Sequence, residues 1–204
     1  MYIRLIIERA GYLSVRRSQM DSGADSYRRF LGGDDEGLAE IVRKYKDGLI
    51  LYLNGYVNNL YTAEELAEDT FFRLITRKPK FSGKSTFKSW LYAIGRNTAV
   101  DFIRHNSRQI NVPVEDMKNY RDEVCSLEES YIREERKIAV YRAMSGLAAD
   151  YRNVLWLIYF EGFSNREAAM ILKKSDRQIK NLLYRAKQSL KTILEREGFH
   201  YEEQ

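Results

Sequence analysis

Two stretches of the chain carry side chains suited to nucleic-acid chemistry. The first is FSGKSTFKSWLYAIGRNTAVDFIR, residues 81–104, which interleaves Phe87, Trp90 and Tyr92 with Lys84, Lys88, Arg96, Asn97 and Arg104. Rings stack on unpaired bases and cations track phosphates, so this mixture suits a single strand or a base drawn out of a duplex. Aromatic stripes at helical spacing also build cores, and Phe87, Leu91, Ile94, Thr98 and Phe102 make one such inward stripe. Trp90, Asn97, Asp101 and Arg104 lie along its flank, while Ser89, Tyr92 and Arg96 are expected to face outward.

The second stretch is 176–191. At ~100° per residue, Ile179, Leu182, Leu183, Ala186, Leu190 and Ile193 fall in one narrow sector. The opposite sector holds Arg177, Asn181, Tyr184, Gln188 and Lys191, flanked by Lys180, Arg185 and Lys187, and it carries no acid. A basic face of this kind suits a duplex. Arg177, Lys180 and Asn181 stand where a recognition helix meets base edges, the Arg fork matching guanine and the Asn amide matching adenine. Arg185, Lys187 and Lys191 lie further along and suit phosphates, which add affinity without reading sequence.

A third group, Glu64, Glu65, Glu68 and Asp69, has the charge to hold Mg²⁺. It has no Gly-rich loop and no positioned His, so a solvated acidic face is the expected role, and neither metal nor cofactor is expected. One Cys, Cys125, and two His give no internal disulfide and no structural zinc site, and they suit a reducing cytoplasm.

These side chains need rigid elements beneath them. With only two Pro and twelve Gly in 204 residues, 44% hydrophobic and 31% charged, the chain is expected to be all-α. Apolar spacing predicts a helix over 38–60. Thr62 and Glu65 have capping-box spacing and would open the next helix, which Lys78-Pro79 closes. FSGKST (81–86) reads as a loop and 86–105 as a long helix. In the C-terminal half, 127–146 is amphipathic and 148–161 is apolar enough to be buried. Ser164-Asn-Arg-Glu167 is a second capping box, Lys173-Lys174 a tight turn, and Ser175-Asp-Arg-Gln178 a third box. A short helix, a turn and a longer helix form a helix-turn-helix.

Charge alternates along the chain. Residues 34–69 carry a net −6, 77–108 a net +7, 109–135 a net −5 and 150–196 a net +5. Two separated basic blocks suggest two polyanion contacts. The acidic, aperiodic segment 107–126, which contains Pro113, reads as a linker between two small helical domains, 20–106 and 127–198. Residues 199–204 form a tail. Met20 opens an alternative start, so 1–19 reads as an extension that need not be native. No run approaches the ~18 apolar residues of a membrane span, and a cytoplasmic location without membrane insertion is expected.

Three segments in order, TAEELAEDTFFRL (62–74), FSGKSTFKSWLYAIGRNTAVDFIR (81–104) and LAADYRNVLWLIYFEGFSNREAAMILKKSDRQIKNLLYRAKQSLKTIL (147–194), resemble the extracytoplasmic-function class of bacterial RNA polymerase sigma factors. The resemblance spans about residues 25–196. It implies region 2 over 20–106 and region 4 over 127–198, with no enzymatic activity. It implies core RNA polymerase (beta and beta-prime subunits) and promoter DNA as partners, and an anti-sigma factor as a further candidate. Glu65, Glu68, Asp69 and Phe72 would dock on the polymerase clamp; the family usually has Gln at Glu68. Lys84, Ser85, Phe87, Lys88, Trp90, Tyr92, Arg96, Asn97 and Arg104 would melt the minus-ten element, with Asn97 beside Trp90 lining the flipped-base pocket. Arg177, Gln178, Lys180, Asn181, Tyr184, Arg185, Lys187, Gln188 and Lys191 would read the minus-thirty-five element; many relatives have Gly-Thr at Arg177-Gln178. The linker acids would mimic nucleic-acid charge inside the polymerase. The competing expectation is a stand-alone helix-turn-helix regulator, which needs neither an acidic docking helix nor an aromatic–amide flank.

Overall fold

The computed structural model describes residues 22–109, 140 and 142–196. Four helices make the N-terminal half: α1 (Ser22–Leu31), α2 (Asp35–Val57), α3 (Leu60–Arg77) and α4 (Phe87–Gln109). In the C-terminal half, helical residues at Val140 and 142–145 precede α5 (Ala149–Leu155) and a π-helical turn, Trp156–Phe160. Helices α6 (Asn165–Leu172) and α7 (Asp176–Arg196) follow. The all-helical reading holds over the described residues.

Helix α2 is the spine. Its residues Leu49, Ile50, Tyr52 and Leu53 are 0% exposed and Leu51 is 8%, so five consecutive buried residues take this stretch of the helix all the way round rather than along one stripe. Helices α1, α3 and α4 pack on part of this surface and α5 on another. The C-terminal half therefore rests on the N-terminal one, and the buried core runs through both.

Local chemistry explains the ends of the helices. Asp34 caps α2 by accepting from the Glu36 amide at 3.1 Å. Helix α3 begins at Leu60, two residues before Thr62. Asn59 is its cap and accepts from the Thr62 amide at 2.9 Å, so the expected Thr62–Glu65 box is corrected to an Asn59 cap. Lys78 ends α3 in the left-handed region at φ 40, because Pro79 bars the next residue from helical pairing. Tyr27 donates to the Pro79 carbonyl at 2.8 Å, and its ring joins Phe81, Phe87 and Trp90 in a cluster with centroids 5.2–5.7 Å apart. This cluster pins the 81–86 loop.

The other two capping boxes form as expected. The Ser164 amide donates to Glu167 Oε2 at 2.8 Å and the Glu167 amide to Ser164 Oγ at 3.3 Å. The Ser175 amide donates to Gln178 Oε1 at 2.7 Å and the Gln178 amide to Ser175 Oγ at 3.3 Å. The expected 148–161 helix divides, because the Glu161 amide donates to Trp156 O at 3.0 Å and widens the last turn. Helix α4 continues through Gln109; the rest of 107–126, most of the 127–146 helix, residues 1–19 and the 199–204 tail lie outside the described residues. Helix α1 was not anticipated, although Tyr27 and Phe30 lie on its buried side.

Glu167 serves both halves. Besides capping α6, its Oε1 accepts from Ser89 Oγ at 3.1 Å and Thr86 Oγ1 at 3.3 Å, at the start of α4. Partial burial pushes its carboxyl pKa up, but the hydrogen bonds from Ser164, Ser89 and Thr86 outweigh this and hold it below the ordinary value.

Two stability measurements follow from these caps. Asn59→Ala is expected to cost about 1 kcal/mol in urea unfolding, and Thr62→Ala much less; equal losses would restore the Thr62 box. A carboxyl with a depressed folded pKa contributes stability above its unfolded pKa and loses it as pH falls through the folded one. The wild-type advantage over Glu167→Gln should therefore be full near neutral pH and shrink below about pH 4. An advantage that grows on acidification contradicts the assigned direction.

Candidate nucleic-acid interfaces and docking groove

Helix α3 turns its apolar stripe, Ala63, Leu66, Ala67, Thr70, Phe71 and Leu74, into the core. One further apolar row has no such cover. Phe72 is 60% exposed and Ile75 42%, which is a large solvent cost for residues of that size. With Val42, Lys46, Ala67 and Phe71 they line a groove between α2 and α3, rimmed by Glu68 and Asp69. Glu65 is exposed one turn earlier. Apolar floor and acidic rim together suit a basic amphipathic partner helix. Sequence reading placed Phe72 here but missed Ile75; an outward Ile just past a core Leu was the available signal.

Helix α4 presents a mixed surface. Lys84 and Arg104 are exposed, Ser85, Trp90, Arg96 and Asn97 are half-buried, and Phe87 is buried. Trp90 and Asn97 do share the expected flank. The outward placement of Ser89 and Tyr92 is corrected: both are 0% exposed, Ser89 because it is bonded to Glu167 and Tyr92 because it packs between Tyr52 of α2, 5.3 Å away between centroids, and the C-terminal half. Tyr92 meets the Phe163 ring edge-on, with centroids 5.2 Å apart. Burial, then the neighbouring Glu161 carboxylate, keeps its phenol protonated well beyond the usual range. Arg96 lies near Tyr52 and Tyr56, and its Nε is buried with no hydrogen-bond partner among the described residues.

Helices α6 and α7 form the helix-turn-helix. Ala168, Ala169, Ile171 and Leu172 of α6 are buried, as are Ile179, Ala186, Leu190 and Leu194 of α7. The turn places Lys173 at φ 52, and Lys174 is tied to Asp150 of α5 at 3.0 Å. Arg177, Lys180, Asn181, Tyr184, Arg185, Gln188 and Lys191 are exposed together, with Tyr184 at 64%. Two members are committed elsewhere in part. Gln178 is exposed, but its side-chain oxygen caps the helix, and Lys187 sits over the Tyr159 ring at 5.4 Å. Lys191 lies 3.6 Å from Glu195.

Sequence reading missed the side chains that join the two halves: Arg152, Asn153, Glu161 and Glu167. The available signal was Gly48 and Gly55, two small residues seven apart on one face of α2. A Cβ at Gly55 would overlap Asn153 Oδ1, and one at Gly48 would lie 2.5 Å from Glu161 Oε1. No cluster of His, Cys, Asp and Glu among the described residues could hold a metal, and none of their helices is long and apolar enough to cross a membrane.

Comparison with known proteins adds an independent line. Residues 41–109 match the Sigma-70 region 2 family model, and residues 137–190 match the Sigma-70, region 4 model. The chain is 26% identical over 162 residues to the "ECF RNA polymerase sigma factor SigM" of Bacillus subtilis (strain 168), covering 77% of this chain and 94% of that one. It is 25% identical over 171 residues to the "RNA polymerase sigma-H factor" of Pseudomonas aeruginosa, covering 80% and 89%. Among solved structures, the sigma factor RpoE of Bartonella quintana, in complex with the anti-sigma factor NepR, superposes with a TM-score of 0.58 at 22% identity, covering 77% of this chain and 96% of that one. CnrH, in complex with the cytosolic domain of CnrY, superposes with the same TM-score at 20% identity, covering 85% and 95%. Region 2, region 4, their order and their spacing all coincide with the helices that carry the groove, the aromatic–basic face and the helix-turn-helix: the chain belongs to the extracytoplasmic-function sigma factors of bacterial RNA polymerase.

Proposed function

We propose a division of labour along this sigma factor. The α3 groove binds core RNA polymerase, α4 opens promoter DNA at the minus-ten element, and α7 reads the minus-thirty-five element. The observation that carries the reading is the exposed Phe72–Ile75 row between Glu68 and Asp69. A stand-alone regulator has no use for an acidic, apolar docking groove on the half of the chain that lacks the helix-turn-helix.

Each contact has a physical basis. Basic residues of a clamp helix would pair with Glu65, Glu68 and Asp69 while an apolar side chain fills the groove above Phe72 and Ile75. Holding a flipped base offsets a few kcal/mol of lost stacking, and the half-buried Asn97 beside Trp90 supplies an amide and a ring for it. In α7, Arg177, Lys180 and Asn181 lie in the first turns, where major-groove docking brings side chains to base edges. Because Gln178 is held by its own cap, base reading falls mainly to the other three. Arg185, Gln188 and Lys191 suit the backbone, with Tyr184 between them. Nothing in this scheme asks the chain to break a bond.

Mixing the purified chain with core polymerase and genomic promoter fragments is expected to yield specific transcripts; none from any template would refute the function. Reversing charge at Glu68 and Asp69 is expected to weaken co-purification with core polymerase while leaving the helical content unchanged, and an unaltered pull-down removes the groove from the docking site. Arg177→Ala should cost about 1–3 kcal/mol at one base pair and relax specificity there. Uniform weakening across all sequences would assign Arg177 to phosphate instead.

A further inference from the structure

The docking groove carries both signs of charge. Helix α3 lends it Glu68 and Asp69, with Glu65 a turn earlier, and α2 lends it one cation, Lys46. Lys46 is half-buried and lines the groove with Val42, Phe71 and Phe72, a placement that lays an aliphatic stem along the apolar floor and leaves an ammonium at the rim. Yet among the described residues neither Lys46 nor Glu65, Glu68 or Asp69 has a salt-bridge partner. By contrast, three other cations of α1 and α2 are paired: Arg28 with Asp25 at 2.7 Å, Arg29 with Asp34 at 3.3 Å and with Glu40, and Arg43 with Glu36.

The exposed stripe is longer than the groove. Tyr61, 57% exposed, precedes Glu65, Glu68, Phe72 and Ile75 at helical spacing on the same face of α3. That face runs about 21 Å, roughly four turns, which suits a partner helix rather than a single side chain. A lone cation in such a groove has an effect of definite sign. Against a helix that carries only basic residues, Lys46 repels, and the groove would bind more tightly without it. Against a helix that also carries a carboxylate, Lys46 gains an ion pair shielded from water by the apolar floor, where Coulomb attraction exceeds that in open solvent.

We propose that Lys46 sets the partner specificity of the α3 groove, which takes an amphipathic helix of about four turns that presents basic residues to Glu65, Glu68 and Asp69 and a carboxylate to Lys46. This specificity rests on the reading of the groove as the polymerase-docking site, and it adds the charge pattern that the polymerase helix must carry. Glu65, Glu68 and Asp69 supply attraction for any basic helix. Lys46 rejects those that lack the acid.

Lys46→Met tests it, because Met keeps an unbranched apolar stem, forms helix about as well as Lys and removes the charge. The affinity of the full chain for core RNA polymerase is measured by titration at low salt. Lys46→Met is expected to bind about tenfold more weakly, and Lys46→Arg, which keeps the charge, to retain most of the wild-type affinity. Equal or tighter binding by Lys46→Met overturns the proposal, since a purely basic partner gains when the cation is lost. A loss in Lys46→Arg as large as that in Lys46→Met also overturns it, by assigning the residue to packing. Failure of the docking reading shows differently: charge reversal at Glu68 and Asp69 then leaves binding unchanged as well. Disruption by that reversal beside a neutral Lys46→Met sinks the specificity claim alone.

Discussion

Burial of the second half of α2, residues 49–55, on every side is the constraint on which the rest of this molecule depends. Leu49, Ile50, Tyr52 and Leu53 reach zero exposure and Leu51, on the remaining side, is only 8% exposed. One layer of helices cannot cover such a rod. Helices α1, α3 and α4 take part of it, and α5 packs on it as well. The close approach works because Gly48 and Gly55 remove the side chains that would hold α5 and Glu161 away.

That packing decides what is left on the surface. With its Ala63–Leu74 stripe spent on the core, α3 has only its outer row for a partner, and that row is Phe72 and Ile75 with acids beside them. Helix α4 is used twice. Its Phe87 and Trp90 lock into the aromatic cluster with Tyr27 and Phe81, which orients the helix, while Asn97 and Arg104 keep access to solvent. Helix α7 spends Ile179, Ala186, Leu190 and Leu194 on α5 and α6 and so turns its basic face outward. In each case the functional face is the complement of the buried one.

Glu167 illustrates how capping and tertiary contact share one side chain. One carboxylate oxygen closes the α6 box and the other accepts from the first turn of α4. A single carboxylate therefore sets the start of the helix-turn-helix and its position on the N-terminal half. The π turn does similar work: the extra residue before Gly162 aims Glu161 back toward Lys88.

Periodicity and charge alone specify the helical class, the division of basic from acidic blocks, two of the three capping boxes and the outward face of α7. Those features are local, so residues a few positions apart determine them. The start of α3 escapes such reading because Asn59 and Thr62 are both good caps, and the packing of Leu60 and Ala63 selects the earlier one. Ser89 and Tyr92 escape it because the residues packed on them, Glu167 on Ser89 and both Tyr52 and Phe163 on Tyr92, lie forty or more residues away along the chain. A helical wheel sees only its own helix. Which of its faces meets water is settled by what packs across it, and here two glycines of α2 and four polar residues of the C-terminal half decide that.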